Sequence, residues 1–159
     1  MKPRGEARIM PHTYTSLFFH CVFSTKHRRP WLTPEIQDRL WPFMGGIARE
    51  QGFVALTIGG TEDHAHMLLS LPSTLAVAKA VQLVKAGSSG WVSQTFPTLR
   101  DFAWQEGYGA FSISVSHKAD TIAYIARQQI HHRRKTFQEE FVAFLKKHAI
   151  EYDERYIWD

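Results

Sequence analysis

FVALTIGGTEDHAHMLLSL, residues 53–71, is the stretch whose reading decides the fold. Residues 53–59 are apolar and β-branched enough for a strand. Gly60-Thr61-Glu62-Asp63 carries turn chemistry, and residues 64–71 read as the returning strand of a hairpin. Alternate side chains on a strand share a face, so Ala65, Met67, Leu69 and Leu71 point to a core and His64 and His66 to the opposite side. Upstream, YTSLFFHCVFS at 14–24 is a third strand. After a basic loop, Thr33 and Pro34 open a helix carrying Ile36, Leu40, Phe43, Met44 and Ile47, and Gly52 stops it. Gly45-Gly46 inside it is read as a point of close packing. Downstream, a helix spans 74 to about 85, ended by the Gly/Ser stretch AGSSG, and 92–110 is irregular. Phe111, Ile113 and Val115 alternate with three serines as a fourth strand over 111–116. Helices follow from Asp120 to about 134 and over 137–147. This order is the ferredoxin-like split βαβ pattern. It predicts an α+β fold, an antiparallel sheet with helices on one face, and a C-terminal helix carrying Tyr124.

The 159 residues suit a single domain, read as 14–159 behind a loose leader at 1–13. With 44% hydrophobic and 21% charged residues the chain builds a core, which excludes a disordered protein. The net charge is +4 and the pI about 9.3. Four acids crowd the last nine residues, leaving 18 basic against 11 acidic residues in 1–150. A basic body attracts polyanions, nucleic acid above all, although charge alone does not demand it. The single Cys21 excludes an intramolecular disulfide and cysteine-rich zinc sites. No apolar run nears the roughly 18 residues a membrane helix needs, and the basic start lacks a signal-peptide core. The expectation is a cytoplasmic protein with no membrane partner.

His64 and His66 on one strand face present two imidazoles to a divalent ion, but an isolated pair of this kind is common by chance. Tyr124 and Gln128, four apart on a helix, share a face and supply the missing feature. A phenol with an ordinary pKa near 10 needs a nearby cation or base to attack at neutral pH, and a divalent ion also orients a phosphate.

His64-Ala65-His66 resembles the histidine–hydrophobic–histidine motif of single-strand DNA nucleases, and Tyr124-x-x-x-Gln128 resembles the nucleophile helix of their single-tyrosine transposases. The flanking DHAHMLLSLP, WQEGYGAFSISVSH and YIARQQIHHRRKTFQEEF match as well. Over nearly its whole length the chain resembles the IS-two-hundred-like transposases of small bacterial insertion sequences. The resemblance implies cleavage of single-stranded DNA at hairpin-bearing element ends and strand transfer through a 5′-phosphotyrosine. It makes Tyr124 the nucleophile and His64, His66 and Gln128 the ligands of Mg²⁺ or Mn²⁺. It also implies a homodimer whose active sites are composite, the tyrosine helix of one subunit completing the histidine site of the other. The rival reading is a domesticated relative that grips a DNA or RNA hairpin without cutting.

Lys26, Arg28 and Arg29, with Trp31 as a stacking surface, are candidate DNA contacts, as are Lys79, Lys85, Ser88 and Ser89 around the second helix. His131-His132-Arg133-Arg134-Lys135 has the look of a DNA patch, but cations at a helix C-terminus also serve its dipole.

Overall fold

β1 (Phe18–Ser24) and β3 (His64–Ser70) lie at the centre of a four-stranded antiparallel sheet, flanked by β2 (Val54–Gly60) and β4 (Gly109–Ile113) in the order β2-β3-β1-β4. The computed structural model describes residues 12–128 and 135–158. Helix α1 (Pro34–Glu50) connects β1 to β2, and α2 (Val77–Thr95) connects β3 to β4. The expected ferredoxin-like topology is therefore present. Phe23 opposite Ala65 and Cys21 opposite Met67 put small and medium apolar groups on one sheet face. There they pack against Leu40, Met44 and Ala48 of α1 and Val81, Val84 and Val92 of α2. Cys21 is sealed in this layer, and burial pushes its thiol up to about 12, so it is inert.

α1 begins as expected. Pro34 is its first residue, the Thr33 side chain accepts from the Ile36 amide, and Gly52 beyond its end takes a left-handed φ of 87°. α2 differs from the sequence reading, because it runs through AGSSG without a break. The Ser88 hydroxyl donates to the Val84 carbonyl at 2.6 Å and accepts from Trp104 Nε1 at 2.9 Å, so the polar stretch is satisfied inside the protein. The close packing expected at Gly45-Gly46 occurs at Gly87 instead. A Cβ there would lie 2.8 Å from Ile47 Cδ1, whereas one on Gly45 would meet nothing within 4 Å.

β4 ends at Ile113, and Val115–His117 forms a 3-10 turn that leaves Val115 65% exposed. Ser114 Oγ lies 2.8 Å from both Ser116 Oγ and His117 Nδ1. These local bonds compete with strand pairing, so the alternating pattern outruns the strand. Two further helices, α3 (Lys118–Ala126) and α4 (Phe137–Lys147), pack on the second sheet face. The two crossover helices thus share one face, and the C-terminal helices cover the one that bears the histidines. Residues 1–11 of the leader and 129–134 of the expected tyrosine helix lie outside the described residues.

Candidate active site

His64 and His66 project from β3 into the layer between the sheet and α3/α4, and both are fully buried. Their neighbours on that face follow from register: Ser24 opposite His64, Val22 opposite His66, His20 opposite Leu68. α3 reaches them because β2 carries a glycine opposite His66. A Cβ on Gly59 would lie 2.7 Å from the Ile125 carbonyl oxygen, so only glycine lets α3 settle this close. Docked there, α3 buries Ile125 and turns Tyr124 toward the histidines; it ends at Ala126, short of the end expected near 134, and Gln128 follows just past its Arg127 cap. His64 Nε2 lies 3.2 Å from Gln128 Oε1, and the His66 and Tyr124 ring centroids are 5.8 Å apart.

α4 supplies a residue the sequence reading missed. Glu140 is buried, with Oε1 at 2.8 Å from His66 Nε2 and 3.8 Å from His64 Nε2, while Oε2 accepts a hydrogen bond from the Tyr124 hydroxyl. Burying a carboxylate costs several kcal/mol. α4 holds it there through Phe137, Phe141 and Leu145, each worth roughly 1.5–3 kcal/mol on burial. Glu140 stands three residues after Phe137 and four before Phe144, on a stripe neighbouring that apolar one. A hint was present in the sequence: an acid directly beside the apolar stripe of a short helix. Its partner was not legible there, 74 residues away from His66.

The outer nitrogens of both imidazoles are also held. His64 Nδ1 is 2.7 Å from Asp63 Oδ1 and 2.9 Å from Thr61 Oγ1, and His66 Nδ1 is 2.7 Å from His20 Nε2. These contacts aim both Nε2 atoms inward, the orientation a metal ligand needs. His20 itself is buried, and desolvation with the neighbouring His66 lowers its pKa to about 3, so it is neutral. One ligand atom each from His64, His66 and Glu140 lie within 4.8 Å of one another, close enough to hold a metal ion. Two imidazoles, a carboxylate and an amide oxygen form a mixed donor set suited to a divalent cation. Burial first, then the hydrogen bond and charge of Glu140, raise the Tyr124 pKa, against a smaller lowering by Gln128. Tyr124 is thus a protonated phenol until positive charge arrives.

The model of the family described as "Transposase IS200 like" matches residues 13–128, well over half of the chain. The chain belongs to this transposase family. That range holds His64, His66, Tyr124 and Gln128 but stops short of Glu140. Among solved structures, one described as "a putative transposase from Deinococcus radiodurans R1" is 23% identical with a TM-score of 0.64, covering 76% of this chain and 97% of that one. A REP-associated tyrosine transposase bound to a REP hairpin is 15% identical with a TM-score of 0.57, covering 78% and 73%. At these identities the two share the fold. No curated protein matches the chain significantly.

The DNA contacts expected of this transposase divide. Lys26 is exposed, Arg29 lies over Trp31 at 5.2 Å, and Arg28 over Trp158 at 5.8 Å. They occupy a turn with left-handed backbone at His27 and Arg28, at the sheet end where β1 stops and His64 begins β3. Trp31 is half-buried against Phe102 as well as under Arg29, so it offers less stacking surface than expected. The α2 set lies across the sheet from the histidines. Ser88 is fully buried, and the phosphate contact expected of it is not available. Ser89 is half-buried and donates to the Phe102 carbonyl. Lys85 donates to the carbonyls of Gln105, Glu106 and Gly107, and desolvation lowers its pKa to about 8; it ties α2 to the loop before β4. Lys79 is exposed on that far layer. No helix among the described residues is long and apolar enough to cross a membrane.

Proposed function

We propose that this transposase cuts single-stranded DNA with Tyr124 as nucleophile, keeps the 5′ phosphate on that tyrosine, and passes it to a second 3′ hydroxyl. One observation carries the reading: a single buried carboxylate, Glu140, meets the Tyr124 hydroxyl through one oxygen and His66 through the other. Nucleophile and ligand set are thereby locked together in one site. A protein that only gripped a hairpin would have no use for this costly buried assembly.

His64, His66 and Glu140, with Gln128 as a further oxygen donor, would hold Mg²⁺ or Mn²⁺. When bound, the ion offsets the charge of Glu140 and polarises the scissile phosphate. Glu140 Oε2 takes the Tyr124 proton as Oη bonds to phosphorus. The P–O3′ bond breaks, and the departing 3′ oxygen takes a proton from water. In strand transfer the incoming 3′ hydroxyl attacks the phosphotyrosine, its proton passes to water, and Tyr124 recovers its own from Glu140. The ester conserves the bond energy, so no nucleotide cofactor is needed. Lys26, Arg28 and Arg29, beside the His64 end of the sheet, would guide the strand by its phosphates. The neighbour that holds a REP hairpin favours a hairpin-bearing substrate here too.

The proposed assembly is a homodimer joined along β4, one of the two outer strands of the described sheet, whose far edge can pair with a second copy. The composite site implied by the family resemblance differs from what one chain presents. Gly59 lets α3 dock on its own sheet, and Tyr124 meets its own chain's Glu140. The reading is therefore a dimer in which each protomer completes its own site.

The test uses a pool of labelled single-stranded oligonucleotides with a randomised core and detects covalent adducts on a denaturing gel. Adduct should form with Mg²⁺ or Mn²⁺, vanish in EDTA, and vanish in Tyr124→Phe. Adduct formed by the Phe variant would overturn the assignment.

A further inference from the structure

Beside the nucleophile the described residues line an open cleft of about 620 Å³, within the range of about 300–1,000 Å³ that small-ligand sites span. Its walls come from β4, α3 and α4, and Tyr124 and Glu140 stand at its inner end. Nothing in the chemistry above uses the rest of it. One wall is a continuous aromatic stack. The Phe111 ring lies 5.2 Å from Phe144 at 19° and 4.7 Å from His148 at 24°. Phe144 also meets the Tyr124 ring edge-on at 6.0 Å, so the stack runs up to the nucleophile. The outer part is polar, with one exposed acid, Asp120, among more numerous basic groups. Exposed Lys135 and Lys147 line it, as does His117, whose Nδ1 lies 2.8 Å from Ser114 Oγ.

Flat aromatic surface inside, cations outside and a nucleophile at the junction is the chemistry of a nucleotide, base inward and phosphates outward. We propose that this cleft takes the base of a nucleotide flanking the scissile phosphate, unstacked from its strand, with Lys135 and Lys147 on the adjoining phosphates. A base stacked there would fix the scissile phosphate against Tyr124. The lysines act on the backbone, so they add affinity at every sequence, while the aromatic wall senses whether a base is present. The proposal rests on the nuclease reading of Tyr124 and names the substrate element that site accepts.

The experiment is a cycle of base removal and side-chain removal. Oligonucleotides recovered as adducts from the randomised pool locate the cut, and versions are made with an abasic residue immediately 5′ or 3′ of it. Binding is measured with Tyr124→Phe, which cannot consume them, alone and combined with Phe144→Ala or, should that variant fold poorly, His148→Ala. Loss of the base at one of the two positions should weaken binding at least about 5-fold in the Tyr124→Phe protein, the lower bound for aromatic stacking. The same abasic change should cost the Phe144→Ala or His148→Ala protein much less. Equal losses in both backgrounds, or no loss at either position, would overturn the base pocket and leave Tyr124 chemistry intact. If the unmodified protein forms no adduct with the pool, the nuclease reading fails and the pocket falls with it.

Discussion

Glu140→Gln separates the roles gathered on one carboxylate. Glutamine keeps the shape and one carbonyl oxygen but removes the charge and the oxygen that takes the Tyr124 proton. Losing a positioned proton acceptor costs about 10²–10⁴ in rate, or roughly 2.7–5.4 kcal/mol of barrier. A second effect works the other way. Glu140 raises the Tyr124 pKa by hydrogen bond and charge, so its removal makes the phenol easier to ionise. The net loss should therefore lie toward the lower end, about 100-fold, and shrink as pH rises toward phenol ionisation. Stability should not fall in the metal-free protein, because a neutral amide relieves a buried carboxylate of its desolvation cost. The assay is single-turnover adduct formation at saturating Mn²⁺, which removes weakened metal binding from the rate, with thermal unfolding measured in parallel. A Glu140→Gln rate within tenfold of the parent at neutral pH would refute the proton-acceptor role.

Asp63→Asn should weaken Mn²⁺ binding about 10–100-fold by calorimetry, because the 2.7 Å contact that orients His64 loses its charge; unchanged affinity would mean His64 is not a ligand. Ser88→Ala should cost about 1–3 kcal/mol of stability, since Trp104 Nε1 loses its buried acceptor, and should leave DNA binding unchanged. Weaker DNA binding at full stability would instead restore Ser88 as a phosphate contact. Mixing Tyr124→Phe with His66→Ala under proven subunit exchange should leave adduct formation silent, because each chain completes its own site. Recovered activity would mean that α3 crosses between protomers.

Local patterns carried the sheet and the first half of the site. The hairpin at 53–71 is written in turn chemistry and alternation, and that alternation puts His64 and His66 on one face whatever covers it. Tyr124 and Gln128 were paired on helical spacing and given meaning by the family resemblance; they do meet at the site, although α3 ends at Ala126 and Gln128 lies past its cap. What the pattern could not express was tertiary. The second face was read without its cover, so the full burial of the two histidines was not legible, and His20, three strand positions from Phe23 but on the other face, went unnoticed beside them. AGSSG read as a breaker because Gly and Ser disfavour isolated helices, but Ile47 and Trp104 reward small residues there. Glu140 was missed for the same reason. Its register on α4 is local, whereas its meaning comes from β3 and α3.

The most direct measurement of the central claim is the identity of the residue that carries DNA. Adduct formed with the randomised single-stranded pool in Mn²⁺ is digested with protease and nuclease, and the modified peptide is sequenced by mass spectrometry. One nucleotide-bearing peptide is expected, with the 5′ phosphate on the oxygen of Tyr124, and none in EDTA. A phosphate bond mapped to another tyrosine, to a histidine or to a serine, with Tyr124 unmodified, would contradict the assignment of Tyr124 as nucleophile.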